Sequence, residues 1–545
     1  MRTGMNKGAQ PPNTGHAKTP ARLTLSLEES LASILGGLGD SPDLKTRRLR
    51  IGGDPSVEAA IVYFSGLSNS DTVNQFIIGS LLGVSGEMVE AGRITGQELP
   101  EVILDRALEI GEAVMEEKWN DIALALLCGD SIILLDGHDK AIICETKGGE
   151  TRAVSEPTSQ LVVRGPKDAF VESVATNISL IRKRIKSSRL RLEYMKIGSD
   201  THTDVAIVYM KELAGEELIQ EVRERLGSIR INEVLESGYL EELIQDKTFT
   251  PFPTIYNTER PDVASANLLE GRVVVIVDGS PFVLILPAVF TQYFQSPDDY
   301  ASRFDIAVLM RIVRYISFLV LILGPSVYIA MTTYHYEMIP TTLLISLLAQ
   351  RENVPFPAFV EALLMEMAFE ILREAGLRMP RVIGQTVSVV GALILGQAVV
   401  EAGIITPIMV IVVALTGIAS FAIPAYDMAI AGRIIRFAFL LLAGMFGFYG
   451  VILGLIVLVA HMNSLRSFGV PYLSPFVPIS VKGQKDTILR LPMWMMESHK
   501  SPQQMRAELP EYMRLNTGHE EEIAPLIRSN DAKKPVREDD SGHEK

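Results

Sequence analysis

The sequence predicts a duplicated cytoplasmic α/β domain, then an all-α polytopic membrane domain and a disordered C-terminal tail. Three observations predict this. First, a hairpin pattern occurs twice. LLCGDSIILLDGHDKAIICE (126–145) and LLEGRVVVIVDGSPFVLILP (268–287) share Leu-Leu-x-Gly, a β-branched run, Asp-Gly and a second apolar run. Gly129 corresponds to Gly271, Asp136 to Asp278 and Gly137 to Gly279 at a constant offset. Second, a strand ending in Ile-Val-Tyr and followed by a helical pattern is also doubled, Tyr63 corresponding to Tyr209. Third, long apolar runs dominate residues 305 to 470.

Each repeat reads as strand, helix, further helix and hairpin. Apolar residues at helical spacing run from Val102 to Leu127 in the first copy, and through GEELIQEVRERL and NEVLESGYLEELIQ in the second. Asp136-Gly137 and Asp278-Gly279 suit the positive φ of a tight turn, which accounts for both aspartates without catalysis. The strands are apolar on both faces, which predicts two subdomains with mixed sheets covered on both sides. Their expected bounds are 25–155 and 156–300, after a disordered stretch over 1–24. Between them a helix is expected from Asp168 to about Lys186, with a basic end (Arg182, Lys183, Arg184, Lys186, Arg189, Arg191). A solvated or subunit-facing helix end explains those cations, since positive charge suits a helix C-terminus and no aromatic residues interleave to stack bases.

The net charge of −14 argues against nucleic acid as a partner. Mean hydropathy is +0.23, high for a soluble enzyme. The first twenty residues have no apolar run of signal-peptide type, so the soluble part is expected to begin in the cytoplasm. The two cysteines, Cys128 and Cys144, read as small buried hydrophobes. No phosphate loop, HExxH, GxSxG or paired CxxC occurs, so neither an enzyme nor a cofactor is expected.

The membrane domain is expected over 301–470, with spans near 312–333, 382–400, 404–423 and 437–462, each close to the length a bilayer core requires. Gly324-Pro325 is expected to kink the first. The apolar run 338–349 is too short to span as a helix and reads as re-entrant. Counting arginines at the ends of the spans leaves the number of crossings and the side of the C-terminus open. Ala443, Gly447, Gly450 and Gly454 have the small-residue spacing of helix contacts. From 471 the chain is polar, and from about 515 it reads as a disordered tail.

An amphipathic helix is expected over 355–376. Glu366 and Glu370 lie on its polar face with Arg373, while Glu361 falls among Leu364, Met365 and Leu372. Carboxylates there are expensive unless paired, protonated or facing water. Two readings stand: a structural ion pair with an arginine such as Arg351 or Arg381, or an acid lining an aqueous path. In a ring of subunits Glu361, Glu366 and Glu370 would favour cations. Gln397 and Glu401, one helical turn apart at the end of the second span, form another candidate ring or mark an interface.

Several stretches resemble the A subunit of the GerA family of spore germinant receptors. These are EPTSQLVVRGPKDAFVESVATNISLIRKRI, PFPTIYNTERPDVASANLLEGRVVVIVDGSPFVLILP, VPFPAFVEALLMEMAFEILREAGLRMPRVIGQTVSVVGALILGQAVVEAG and SLRSFGVPYLSPFVP. The resemblance runs from about Leu25 to about Trp494. It implies a protein of the spore inner membrane whose copies assemble, as a pentamer, into a nutrient-gated channel releasing cations. The implied partners are membrane lipid, a transporter-like B subunit that senses the germinant, and a lipoprotein C subunit. A sibling branch acts as an amplifying channel without sensing nutrient directly. A transporter-type subunit and a non-conducting scaffold stand as the other readings.

Overall fold

The computed structural model describes residues 22–51, 57–83, 99–104, 108, 110–148, 156–378, 391, 394–479 and 483–495. Residues 1–21, the expected disordered tail and most of the span expected at 382–400 lie outside the described residues; Arg22 to Thr24, expected to be disordered, are described, with Leu23 buried and the Thr24 N–H donating to Ser30. Two compact units result: 1–153 with 175–193, and 154–174 with 194–545. The second α/β subdomain and the helical region thus share one unit.

The first sheet contains β1 (Leu44–Ile51), β2 (Val57–Phe64), β3 (Ala113–Glu116), β4 (Ser131–Leu135) and β5 (Ala141–Cys144), in the order β1-β2-β4-β5-β3. Alternation along β2 and β4 divides two apolar layers. Ala60, Val62, Ile132 and Leu134 pack with Leu31 and Ile34 of α1 (Leu27–Leu38) and with Ile122 and Leu126 of α2 (Trp119–Cys128). Ala59, Ile61, Ile133 and Leu135 face the other way, onto Val73, Ile77 and Ile103. Each such Val, Leu or Ile side chain, fully buried, contributes about 1.5–3 kcal/mol.

The second sheet repeats the first. It contains β6 (Leu190–Ile197), β7 (Thr203–Met210), β8 (Tyr256–Thr258), β9 (Val273–Val277) and β10 (Val283–Leu286), in the order β6-β7-β9-β10-β8. Val205, Ile207, Val273 and Val275 pack with Leu218 and Val222 of α4 (Glu216–Ser228) and with Leu240 and Ile244 of α5 (Ser237–Ile244).

Five expectations are corrected. The sheets are antiparallel rather than mixed in every pairing whose register is resolved. Each repeat begins with a strand that the sequence reading missed, because the highly charged LKTRRLRI of β1 is an edge strand whose central residues are exposed. The helical pattern from Val102 is interrupted by β3, whose pairing with β5 overrides the local period. The inter-repeat helix is shorter than expected, forming α3 (Val174–Arg184), and Arg189 and Arg191 lie beyond it. Arg182 is buried rather than solvated: its Nη2 donates to Asp43 Oδ1 (2.9 Å) and Ser41 Oγ (2.8 Å).

α6 (Pro261–Leu269) packs on β7, β9 and β10 of the second sheet, and the helical region holds α7 (Phe304–Thr333), α8 (Thr341–Arg351), α9 (Ala358–Arg378), α10 (Pro407–Phe421) and α11 (Tyr426–Ser464). α7 runs unbroken through Pro325. The interruption falls instead at Gly447 in α11, where φ is 59° and ψ −141°. There the chain folds back on itself. A Cβ on Gly450 would lie 2.3 Å from the Leu442 carbonyl oxygen, although a straight helix separates residues eight positions apart by about 12 Å. Asp427 bonds Asn257 and His461 bonds Thr250. A straight helix would hold Asp427 and His461 about 51 Å apart, yet Thr250 and Asn257 are joined by too few residues to span more than about 25 Å. The fourth span expected over 437–462 is therefore the core of a helical hairpin with its tip at Gly447, against Tyr334 and His335 at the end of α7.

Candidate functional site

The acids singled out in the sequence converge where α9 meets α10 and α11. Glu361 is 1% exposed; its Oε2 accepts from the Thr406 backbone N–H (3.0 Å) and Oγ1 (2.9 Å), and Arg351 lies 3.7 Å away. Thr406 is the residue from which α10 starts, with Pro407 at its first position. Glu361 thus fixes the entry to α10, a task with no local signature around either residue.

Glu366 and Glu370 meet arginines one helical turn apart on α11. Arg436 Nη2 lies 2.8 Å from Glu366 and 2.9 Å from Glu370, and Arg433 Nη1 donates to Glu370 Oε2 at 2.9 Å. Arg373 adds a weaker approach to Glu370 at 3.7 Å. Glu366 and Arg436 are both fully buried, so neither charge is tolerable without the other. Of the two readings the sequence left open, the ion pair is the one the geometry matches for all three acids.

Gln397 and Glu401 differ. Both are exposed, and Gln397 Nε2 donates to Glu401 Oε1 at 3.1 Å. No cation pairs with Glu401 among the described residues. Elsewhere the helices turn broad apolar faces outward, including Ile411, Leu415 and Ile418 of α10 and Leu309, Ile316 and Leu319 of α7.

Ala443, Gly447, Gly450 and Gly454 are all buried. Gly450 and Gly454 seat the returning arm of the hairpin against Leu442 and Phe439 of the outgoing arm. These small residues serve contact within one chain. Asp136, Gly137, Asp278 and Gly279 occupy the turns expected of them, with φ of 82° at Gly137 and 88° at Gly279.

Two further arrangements escaped the sequence reading. Asp299 is 2% exposed and accepts from Arg311 (2.9 Å) and Arg314 (2.8 Å), anchoring the start of α7, while Arg311 also donates to Asp486 (2.8 Å). The segment after α11 packs on the second subdomain: Ser467 Oγ donates to the Thr254 carbonyl, and Tyr472 accepts from the Phe290 N–H. The second arrangement is a cavity of about 390 Å³ lined by Gln160, Glu241, Tyr256, Asn257, Tyr293 and Asp427, among others. Asn257 Nδ2 bridges its two acids, at 2.7 Å from Asp427 and 3.4 Å from Glu241. Burial, reinforced by the Asp427 charge, raises the Glu241 carboxyl to about 7.

The stretches that carried the family resemblance build one wall of this region. Glu259 accepts from the Ser159 and Gln160 N–H groups, and Arg260 donates to the Gln160 and Pro166 carbonyls. EPTSQLVVRGP is thereby locked to YNTERPD.

Comparison with known proteins agrees with this reading. The family described as Bacillus/Clostridium GerA spore germination protein matches residues 32–502. Spore germination protein KA of Bacillus subtilis (strain 168) is 50% identical over 90% of this chain and 88% of its own length. Spore germination protein GerLA of Bacillus cereus is 38% identical, covering 87% of this chain and 94% of its own. An uncharacterized membrane protein of Bacillus subtilis (strain 168), YfkQ, is 42% identical over 80% of this chain and 83% of its own. Among solved structures, the N-terminal domain of the A subunit of the Bacillus megaterium spore germinant receptor GerK3 is 38% identical, with a TM-score of 0.40, covering 49% of this chain and 97% of that one. Two helices here, Phe304–Thr333 and Tyr426–Ser464, are long and apolar enough to cross a membrane. Proteins of this family are germination receptor subunits, not enzymes. The chain belongs to the GerA family of spore germination proteins, as an A subunit.

Proposed function

We propose that this subunit sits in the spore inner membrane with its α/β domain in the cytoplasm, and assembles with copies of itself, as a pentamer, around a nutrient-gated cation path. A transporter-like B subunit and a lipoprotein C subunit complete the receptor. The family supports the germination role. The hairpin in α11 supports the topology: its two ends, and the segment after it, meet the second subdomain, so the helical region leaves and returns on one side. The observation that carries the conducting reading is the exposed Gln397–Glu401 pair in a chain whose helices also expose broad apolar faces. A lone exposed carboxylate among lipid tails is costly, and an aqueous axis between copies removes that cost.

Single-channel recording of the purified full chain in planar bilayers tests this. Glu401→Gln is expected to lower the K⁺/Cl⁻ permeability ratio, whereas Glu374→Gln, outside the buried network, leaves it unchanged. Bilayers that stay silent with every nutrient and with the partner subunits present would remove the conducting reading. A non-conducting scaffold is the second reading, favoured by the intrachain pairing of Glu361, Glu366 and Glu370.

A further inference from the structure

We propose that the cavity between α5, β8 and the first turn of α11 is a binding site for a small organic ammonium ion. It has two half-buried carboxylates, Glu241 and Asp427, and neither has a cationic partner among the described residues. One amide, Asn257 Nδ2, serves both acids, leaving the second oxygen of each without a donor among those residues. The third acid of the wall, Glu236, is already satisfied by Ser280 Oγ, Ser237 Oγ and the Gly238 N–H. The nearest guanidinium groups are also engaged elsewhere: Arg260 with Asp262 and two carbonyls, Arg272 with Glu270 and the Pro287 carbonyl.

A second observation points to a ligand. Tyr256 lines the same cavity and is 6% exposed; its hydroxyl is not sealed in the protein interior but opens to the cavity, and no described residue hydrogen-bonds it. Set on an otherwise buried side chain and open to the cavity, this hydroxyl offers an acceptor to a polar group docked there. A primary ammonium offers three donors for the two free carboxylate oxygens and the phenol oxygen. Tyr293 and Phe282 supply the apolar wall that a short carbon chain requires, and aromatic faces attract the cation as well. An inorganic metal ion fits less well, since no group of three or more His, Cys, Asp or Glu side chains is arranged to hold one among the described residues.

The site joins the soluble subdomain to the head of α11. An occupant bound by Glu241 and Asp427 together favours whichever arrangement brings those two elements close. The binding itself does not depend on ion conduction.

Isothermal titration of n-butylammonium chloride into the full chain in lipid nanodiscs tests the proposal. Saturable binding is expected, weakened at least about tenfold by Asp427→Asn and by Glu241→Gln, and about threefold by Tyr256→Phe, which removes a single oxygen. n-Butyrate should not compete, and KCl at matched ionic strength should not displace the amine. Absence of saturable binding to the wild-type chain, equal binding by the three variants, or stoichiometric displacement by potassium would each overturn it. Asn and Gln remove like charge from one cavity, so those variants should melt no lower than wild type; should either fail to fold, Tyr256→Phe decides alone.

Discussion

Asp278 Oδ1 accepts the backbone N–H of Val174, the first residue of α3, at 3.0 Å. The first repeat has the same bond, between Asp136 Oδ1 and the Leu27 N–H at 3.1 Å. In both copies the following glycine donates back to the segment before the helix, Gly137 to Leu25 and Gly279 to Glu172. The duplicated Asp-Gly is thus more than a turn. Each aspartate caps a helix far away in sequence, where an anion also suits the N-terminal dipole.

Removing that cap is the first prediction. Asp278→Ala should destabilise the chain by about 1 kcal/mol, and Asp278→Asn by less, since Asn still accepts from an orphan N–H. Thermal melts of the purified chain report both. Equal losses from the two substitutions would mean that the carboxylate's charge, and not its hydrogen bond, is what matters.

The duplication, the hairpins and the two-sided burial of the sheets were legible because each rests on local pattern: a repeated motif, Asp-Gly, runs of Val and Ile. What stayed hidden depends on contacts between distant residues. Highly charged β1 reads as a strand only once β2 is beside it. Arginine counting left the crossings open, and three of the arginines counted, Arg311, Arg314 and Arg436, are buried in ion pairs, which their positions at the ends of apolar runs did not reveal. The hairpin in α11 was half legible, since the four-residue spacings of Ala443 with Gly447 and of Gly450 with Gly454 were visible but a reversal inside an unbroken apolar run was not. Of the cavity's acids only Asp427 carried a signal, as a lone charge following Pro424 in an apolar stretch. Glu241 and Asn257 carried none.

The hairpin makes the second prediction. A Cβ on Gly447 would meet Tyr334 at 2.9 Å, at a φ of 59° that other residues avoid, and one on Gly450 would meet the Leu442 backbone. Gly450→Val should cost more than Gly454→Ala, because backbone cannot move aside as the ends of Leu442 and Phe439 can. A loss of about 2–4 kcal/mol is expected for Gly450→Val. Detergent-solubilised melts and the yield of folded chain measure it. Tolerance of valine there would rule out the fold-back.

The buried ion network makes the third. Arg436→Met strands Glu366, while Glu370 keeps Arg433, and should destabilise by about 3–5 kcal/mol. Adding Glu366→Met should recover much of that loss, since an apolar pair of similar volume tolerates burial. A double-mutant cycle on thermal stability reads the coupling. Additive losses would show that the two side chains act separately.

The fourth concerns pH and Glu241. Burial, with the Asp427 charge close by, raises this carboxyl from 4.5 to about 7 in the folded chain. Between those two values the folded state holds a proton that the unfolded state has released. Its contribution to stability is therefore present in full below about 4.5 and declines as pH rises to about 7, by at most about 3 kcal/mol. Other carboxylates run the opposite way, so the measurement is a difference: melting temperature against pH for wild type minus that for Glu241→Gln. The difference should fall between pH 5 and pH 7 and level off above. Bound n-butylammonium would reverse the slope by favouring the ionised carboxylate, and a difference flat across this range without the amine would mean that Glu241 is ionised throughout.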